Sequence, residues 1–151
     1  MQIREDDLTA SEVIELLQEH LRNMHEWSPP ESVHALDLER LKQPGITFWT
    51  AWENGLLMGC GALKEIDLTH GEIKSMRTPS ARRRRGAGRV LLQHIIAVAR
   101  HRGYRLLSLE TGSQPGFAPA RKLYESHGFI YSGPFAGYED DPHSQFMQLS
   151  L

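Results

Sequence analysis

A run of arginine and glycine residues in the middle of the chain has the composition of a pyrophosphate-binding turn. It extends from Arg82 to Gly88 and joins an apolar segment, which ends near Thr78, to an amphipathic helix. Glycine allows the backbone to approach phosphates closely. The free N–H groups of a first helical turn point at the anion, and the helix dipole adds partial positive charge. Arginine side chains supply further positive charge. We therefore expect this turn to hold a pyrophosphate.

The glycine spacing differs from that of two familiar phosphate-binding loops. A dinucleotide-binding turn needs Gly-x-Gly-x-x-Gly, and a Walker loop needs Gly-Lys followed by Ser or Thr. Neither occurs here. The segment from Arg83 to Gly88 instead reads Arg-x-x-Gly-x-Gly, and it lies between a predicted strand and a predicted helix.

The distribution of charge points to a small anionic ligand. The formal net charge is −2, yet five arginines fall between Arg82 and Arg89. A protein that binds nucleic acid usually carries a basic balance overall. We therefore expect no nucleic-acid partner.

Length, hydropathy and cysteine content indicate one cytoplasmic domain, spanning residues 1–151. No apolar run approaches the roughly 20 residues that cross a bilayer, so no membrane association is expected. The polar, acidic start of the chain does not resemble a signal peptide. The single cysteine, Cys60, suits a reducing compartment and is expected to be a small core residue.

The hydrophobic pattern predicts the element order β-α-α-β-β-β-α-β-α-β-β, an α/β domain with a mixed sheet. A capping box from Thr9 to Glu12 is expected to begin the first helix. Val33, Leu36, Leu38 and Leu41 suggest a weaker second helix. Asn54-Gly55 between two β-rich runs predicts a hairpin. The remaining predicted elements are strand 72–78, a helix ending at Gly103, strand 104–110, helix 117–127 and strands 129–131 and 145–151.

Two motifs at the expected separation resemble the GNAT family of acetyl-CoA-dependent N-acetyltransferases. The family's Gln/Arg-x-x-Gly-x-Gly/Ala motif matches Arg83 to Gly88. Its later pattern, Ala-Arg-x-Leu-Tyr-x-x-x-Gly-Phe, matches Ala120 to Phe129. The tail from Thr111 onward further resembles a small bacterial branch, the YsnE type. The resemblance implies a single domain whose mixed, mostly antiparallel sheet has about six to seven strands, with helices on both faces.

The resemblance also implies acetyl-CoA as co-substrate and assigns residues to it. In this family the fourth strand splays from the fifth, and its backbone binds pantetheine as an added strand would. A backbone N–H near Met76 or Arg77 then becomes the oxyanion donor. The cofactor-binding residues implied are Met76, Arg77, Thr78, Arg83, Arg84, Arg85, Gly86, Ala87, Gly88, Arg89, Gln114, Phe117, Ala120 and Leu123. An asparagine common after the family's fifth strand is absent, and Thr111, Ser113 and Gln114 are the candidates to replace it.

Two residues carry the implied catalytic roles. Tyr124 matches the family tyrosine that lies near the CoA sulfur and acts as general acid, although a tyrosine at this place on an amphipathic helix also suits a core. Glu72 precedes Arg83 by eleven residues, the offset of a base glutamate in some members. The alternatives are a surface carboxylate beside Lys74 and a base formed by a water chain.

The function expected is transfer of an acetyl group to a primary amine of a small molecule or protein, by direct attack in a ternary complex. The alternative is a catalytically weak acyl-CoA-binding or sensor module. The acceptor is not identified, and a homodimer is left open. Eight histidines show no metal-ligand spacing, so no metal is expected. The candidates to line the acceptor pocket, each of which also suits a core, are His25, Trp27, Trp49, Tyr131, Phe135 and Tyr138.

Overall fold

Strands from the whole length of the chain form one sheet. The computed structural model describes residues 1–33 and 37–151. Within these, seven strands follow the order β1-β2-β3-β4-β5-β7-β6, and only β4 and β5 run parallel. The mixed, mostly antiparallel sheet is therefore confirmed. The strands are β1 (Gln2–Glu5), β2 (Ile46–Glu53), β3 (Leu56–Asp67), β4 (His70–Arg77), β5 (Leu106–Gly112), β6 (Ile130–Ser132) and β7 (Ser144–Ser150).

The helices follow the predicted order, with differences at two places. They are α1 (Ser11–Trp27), α2 (Leu38–Leu41), α3 (Ala87–His101) and α4 (Ala118–Ser126), with 3-10 turns at Pro30–Ser32, Ser80–Arg82 and Pro115–Phe117. The second helix is a single turn. The part of its prediction that rested on Leu36 lies outside the described residues.

The predicted capping box is wrong. Helix α1 starts after Ala10, and none of the described side chains caps it. The Thr9 hydroxyl instead donates to Asp7 Oδ1 at 2.6 Å, and the Thr9 N–H donates to the same oxygen. Because Asp7 forms this local turn, Thr9 is not available to the helix.

Separate hydrophobic cores cover the two faces of the sheet. On one face, α3 buries Leu91, Leu92 and Ile95 completely. On the other face, α1 buries Val13 and Leu17 in the core that contains Cys60. Cys60 has no exposed surface, which confirms its assignment as a core residue, and burial raises the pKa of its thiol to about 12.

Strands β4 and β5 separate part way along their length. Their parallel pairing runs from His70↔Leu106 to Ile73↔Leu109. Beyond that point β5 stays paired with β7 as far as Gly112, while β4 continues against β3 to Arg77. Because the two strands keep different partners, a gap opens between them.

A bulge in β4 lies beside this gap. Ala62 pairs with Lys74 and Cys60 with Arg77, so β4 carries one residue more than β3 over this stretch. Ser75 has a φ of 55°, unusual for a residue other than glycine. Bulges bend a strand and increase its twist, which here directs the end of β4 away from β5.

We predict that Ile95→Ala lowers the free energy of unfolding by about 2–5 kcal/mol, because it leaves a cavity beneath the centre of α3. Ile95 has no exposed surface. The exposed Arg100→Ala on the same helix is the control and should stay within about 0.5 kcal/mol of wild type. Urea unfolding measures both. A loss at Ile95 as small as that at Arg100 would contradict this placement of the core.

Candidate active site

The N-terminus of α3 presents unpaired backbone donors. Gly86 is its N-cap, with a φ of 86°, and none of the described side chains caps the helix. The Val90 N–H donates to the Gly86 carbonyl at 3.0 Å, so the preceding amides of the first turn have no partner within the helix. Gly86 is a position where a β-carbon would meet nothing within 4 Å. Glycine is therefore needed at position 86 because of its positive φ and not because of a close neighbour. The space beside the free amides is open.

The second glycine of the turn brings α3 and α4 together. A β-carbon at Gly88 would lie 3.2 Å from Leu123 Cδ2. The predicted residues Ala120 and Leu123 both pack against the core beneath α3. Ala87 is buried as well. The turn and the face of α4 that carries Leu123 are therefore neighbours.

The arginines near this turn divide into two groups. Arg83, Arg84, Arg85 and Arg89 are exposed around the helix start. Arg82 instead donates to the Leu57 carbonyl at 2.9 Å. Four arginine side chains are therefore accessible to an anion at this helix end.

Arg77 is directed away from the turn. Its buried guanidinium forms an ion pair with Glu19 at 3.1 Å and donates to Asn23, both on α1. It also lies over the Trp27 ring, 6.0 Å from the centroid. The Arg77 guanidinium is therefore engaged with α1, and only the backbone of Arg77 remains for the cofactor role that the resemblance implies.

Several buried polar side-chain atoms make no geometrically regular hydrogen bond with any described residue, and two of them flank the gap. They are Ser75 Oγ on β4 and Gln114 Oε1 after β5. The other end of the Gln114 amide contacts His143 Nδ1 at 3.1 Å. Ser113, another candidate for the missing asparagine, donates its hydroxyl to the Pro142 carbonyl. Gln114 thus keeps an acceptor oxygen for a ligand, whereas the Ser113 hydroxyl is already engaged.

The turn that carries Gln114 is held close to β5. Arg121 donates to the carbonyls of Gly112 and Gln114 at 2.7 and 3.1 Å. The buried Phe117 packs edge-on against Trp27, with ring centroids 5.3 Å apart. A β-carbon at Gly112 would lie 2.1 Å from the Phe117 ring, so a glycine is needed there.

Tyr124 lies on α4, 5% exposed, with its ring 5.6 Å from that of Phe129. Burial first, and then the charge of Glu110, raises the pKa of the phenol. The hydroxyl therefore keeps its proton at neutral pH, as a general acid must. It also interacts with a carboxyl on β5, across the gap from β4.

Glu72 is buried, so the alternative of a surface carboxylate beside Lys74 is wrong. It is 3% exposed. Its Oε2 accepts hydrogen bonds from Tyr138 Oη at 2.6 Å and from Lys74 Nζ at 3.1 Å. Lys74 also donates to Tyr138 Oη at 2.9 Å. These three side chains form a closed polar group beside the gap.

Glu110, on β5, is the functional candidate that the sequence reasoning missed. It is the first β5 residue beyond the pairing with β4. The pKa of its carboxyl is raised to about 7, chiefly by burial and also by the nearby Glu72 and Asp141, although the Ser144 hydroxyl and Lys74 act to lower it. The signal available in the sequence was a carboxylate at the end of an otherwise apolar strand.

A cavity of about 490 Å³ opens beside the polar group. Its lining residues are Glu31, Ala136, Gly137, Tyr138, Glu139, Asp140 and Asp141. Four of these are carboxylates, and Tyr138 belongs to both the cavity wall and the group around Glu72. Asp141 accepts from Ser32 Oγ at 2.5 Å. The cavity therefore presents negative charge to a ligand that enters it.

The aromatic residues predicted to line the acceptor pocket lie in different parts of the structure. Phe135 and Tyr138 lie together here, with ring centroids 5.1 Å apart. Trp49 is 5% exposed in the core under α3, so its assignment to the pocket is wrong. Tyr131 is exposed on β6 and donates its hydroxyl hydrogen bond to Glu125 of α4. Trp27 packs under Phe117, and His25 is exposed on α1.

A second cavity of similar volume lies between α1 and the β2–β3 turn. Glu12, Glu15, Leu57 and Arg82 are among its lining residues. None of the residues assigned to catalysis or cofactor binding lines it. Among the residues that the structure describes, no group of three or more His, Cys, Asp and Glu side chains could hold a metal ion. No helix in the same part of the chain could span a bilayer.

Comparisons with known proteins agree with this geometry. The Acetyltransferase (GNAT) family profile matches residues 11–129. The chain is 59% identical to the uncharacterised N-acetyltransferase YsnE of Bacillus subtilis, over the full length of both. A solved Klebsiella pneumoniae structure, assigned to the acyl-CoA N-acyltransferases, shares 30% identity with a TM-score of 0.82, covering 99% of this chain and 97% of that one. An Elizabethkingia anophelis GNAT acetyltransferase with acetyl-CoA bound has 19% identity and a TM-score of 0.72, with 99% and 97% covered.

We predict that Glu110→Gln gains stability over wild type as pH rises. The carboxyl has a pKa of about 7 in the folded protein against its ordinary value of 4.5, so folding takes up a proton at pH values between these two. The contribution of the Glu110 carboxyl to the free energy of unfolding is fully present below pH 4.5 and is lost as the pH rises through 7. Relative to wild type, Glu110→Gln should gain roughly 1–3 kcal/mol between pH 5 and pH 8.

Thermal unfolding at both pH values measures this difference. The exposed Glu53→Gln is the matched control and should follow wild type at both. A Glu110→Gln difference that does not change with pH would show that burial does not disfavour the Glu110 carboxylate.

Proposed function

Since the chain belongs to the GNAT family of acetyltransferases and is an N-acetyltransferase, we propose that it transfers the acetyl group of acetyl-CoA to a primary amine of a small molecule or protein, by direct attack in a ternary complex. The observation that carries this proposal is the gap between β4 and β5, which opens beyond the Ile73↔Leu109 pair. An exposed strand edge inside a sheet can bind an extended chain with amide groups. Pantetheine is such a chain.

The cofactor's phosphates belong at the N-terminus of α3 in this proposal. The free amides at Ala87, Gly88 and Arg89 and the helix dipole favour a pyrophosphate there. The surrounding arginine side chains at Arg83, Arg84, Arg85 and Arg89 are exposed and can add charge-assisted hydrogen bonds. The backbone donors do not depend on which of these side chains turns toward the phosphates.

The pantetheine arm then runs along β4 toward the interior. The backbone of Met76, Arg77 and Thr78 supplies the strand edge, and Gln114 Oε1, a buried acceptor with no partner among the described residues, faces the other side. A backbone N–H at Met76 or Arg77 donates to the carbonyl oxygen of the thioester as it gains negative charge. Tyr124 donates a proton to the departing thiolate.

The acceptor amine enters from the cavity beside Tyr138. An alkyl amine reaches a protein at neutral pH as an ammonium ion. The carboxylates of Glu31, Glu139, Asp140 and Asp141 line this entrance and attract a cation. The amine must lose a proton before it attacks, so a base is required on this side of the gap.

We predict that acetyl-CoA raises the melting temperature of the wild-type protein and that Gly86→Asp abolishes the rise. At a hundredfold excess over Kd the stabilisation is about 2.7 kcal/mol, which corresponds to roughly 5–10 °C. Aspartate at position 86 would place negative charge beside the proposed pyrophosphate. Differential scanning fluorimetry with and without acetyl-CoA measures the effect.

Gly45→Asp is the matched control. Gly45 has a φ of +87° and, like Gly86, no neighbour within 4 Å of an added β-carbon. Both variants therefore have the same backbone strain and charge, but Gly45 lies before β2. The control should melt lower than wild type and keep the full shift. A normal shift in Gly86→Asp would refute the assignment of the pyrophosphate site.

We predict that Tyr124→Phe lowers kcat and leaves the affinity for acetyl-CoA nearly intact. The phenol acts when charge develops on the thiolate, so its loss affects the transition state. The ring remains, so the packing against Phe129 should persist. General acid assistance contributes about 10²–10⁴-fold, and we expect the lower end because a thiolate is a good leaving group.

The measurement uses an amine acceptor found by screening, with turnover and calorimetric Kd taken from one preparation. Phe129→Leu, which changes the same aromatic contact without touching the phenol, is the packing control. Wild-type turnover in Tyr124→Phe would make Tyr124 a core residue. Lost affinity with unchanged kcat at saturation would make it a binding residue.

A further inference from the structure

We propose that Glu110, and not Glu72, is the base that takes the proton from the acceptor ammonium. This inference rests on the proposed function, because it concerns the same reaction. It is carried by the position of Glu110 at the opening of the gap and by the hydrogen bonds that already occupy Glu72.

Glu110 is placed at the point where the reacting groups must meet. Glu110 has no paired residue on β4, because the pairing of β4 with β5 ends one residue earlier, at Ile73↔Leu109. On its other side it pairs with Phe146 of β7, which fixes its backbone. Alternation along β5 directs Leu107 and Leu109 into the core under α3. Ser108 and Glu110 therefore face the opposite side, where Ser108 lies level with Glu72.

Two donors already hold the Glu72 carboxylate. Its Oε2 already accepts from Tyr138 Oη and Lys74 Nζ. A proton added to this oxygen would compete with both bonds, and Lys74 would lose its ion-pair partner. The arrangement instead suits a fixed negative charge behind Tyr138, which lines the entrance. Glu72 then favours binding of the acceptor ammonium through its charge and does not take its proton.

Charged and titratable groups surround Glu110 from every neighbouring element. They are Glu72 and Lys74 on β4, Tyr124 on α4, and Tyr138 and Asp141 in the segment between β6 and β7. Burial together with the two carboxylates brings the pKa of Glu110 to about 7. Burial and nearby carboxylates raise the pKa of both phenols. At neutral pH, Glu110 therefore exchanges protons readily while the tyrosines stay protonated.

A buried hydroxyl stands beside this carboxyl. Ser144 is 7% exposed, and its hydroxyl interacts with the Glu110 carboxyl and favours the charged carboxylate. Ser144 belongs to β7, which pairs with β5 as far as Gly112. The hydroxyl therefore helps to hold the Glu110 carboxylate at the opening of the gap.

The Glu110 carboxylate removes one proton from the ammonium, and the freed nitrogen lone pair attacks the acetyl carbonyl carbon. A carbon–nitrogen bond forms, the carbon–sulfur bond breaks, and its electron pair leaves on the CoA thiolate. Tyr124 gives the thiolate a proton and regains one from the nitrogen of the new amide. Glu110 then releases its proton to solvent, so each turnover yields amide, free CoA and one proton.

The experiment compares Glu110→Gln with Glu72→Gln in pH profiles of kcat/KM for the acceptor. Wild type should show an inflection near pH 7. Glu110→Gln should lose that inflection and fall by about 10²–10⁴-fold, while keeping its Kd for acetyl-CoA. Glu72→Gln should keep the inflection and move it to lower pH, because the Glu72 charge raises the pKa of Glu110. The KM of Glu72→Gln for the acceptor should rise.

If Glu110→Gln fails to fold, Glu110→Asp should retain the inflection at reduced kcat.

A second readout does not require turnover. Protein labelled with carbon-13 at the glutamate carboxyl should show one resonance that titrates near pH 7 and is absent from Glu110→Gln. Loss of the kinetic inflection in Glu72→Gln, or its survival in Glu110→Gln, would overturn the proposal while acetyl transfer stands. If wild type binds acetyl-CoA but acetylates no amine, the proposed function fails. In that case, absence of the titrating resonance would overturn the assignment of Glu110 as well.

Discussion

The separation of β4 from β5 is the constraint on which the rest of the structure depends. Strand β5 remains paired with β7 as far as Gly112↔Ser144, and β4 remains paired with β3 as far as Arg77. The bulge at Ser75 turns β4 away from its parallel neighbour. A buried strand edge without a partner is unfavourable for a protein alone, because backbone donors and acceptors need hydrogen bonds. In this enzyme that edge is the proposed place for the amide groups of the cofactor.

The same separation brings the chemical groups together from distant parts of the chain. The opening lies between Lys74 and Glu110, which belong to different strands, while Tyr124 reaches it from α4. Helix α3 is held at the other end of the gap because Gly88 allows close contact with Leu123. The polar group around Glu72 is closed by Tyr138, from the segment before β7. One irregularity in the sheet thus lies between the turn before α3 and the carboxylates.

Local patterns in the sequence predicted the elements whose cause is local. Asn54 and Gly55 both have positive φ, as the tight hairpin turn between β2 and β3 requires. Apolar spacing predicted α3, and Gly103, with a φ of +87°, follows its end. The residues that were wrongly assigned or missed owe their surroundings to distant parts of the chain. Trp49 is buried because α3 covers its face of β2. The pKa of Glu110 depends partly on residues of β4, β7 and the segment between β6 and β7, which no local pattern reveals.

Binding of acetyl-CoA in the gap is tested most directly by following the backbone amides while acetyl-CoA is added to nitrogen-15-labelled protein. If the gap and the start of α3 bind the cofactor, the largest chemical-shift changes will occur at Met76, Arg77 and residues 87–89. The amides of β1 and of the β2–β3 turn should move little. Changes centred instead on the cavity between α1 and that turn, near Glu15 and Leu57, with the amides of β4 unmoved, would contradict it.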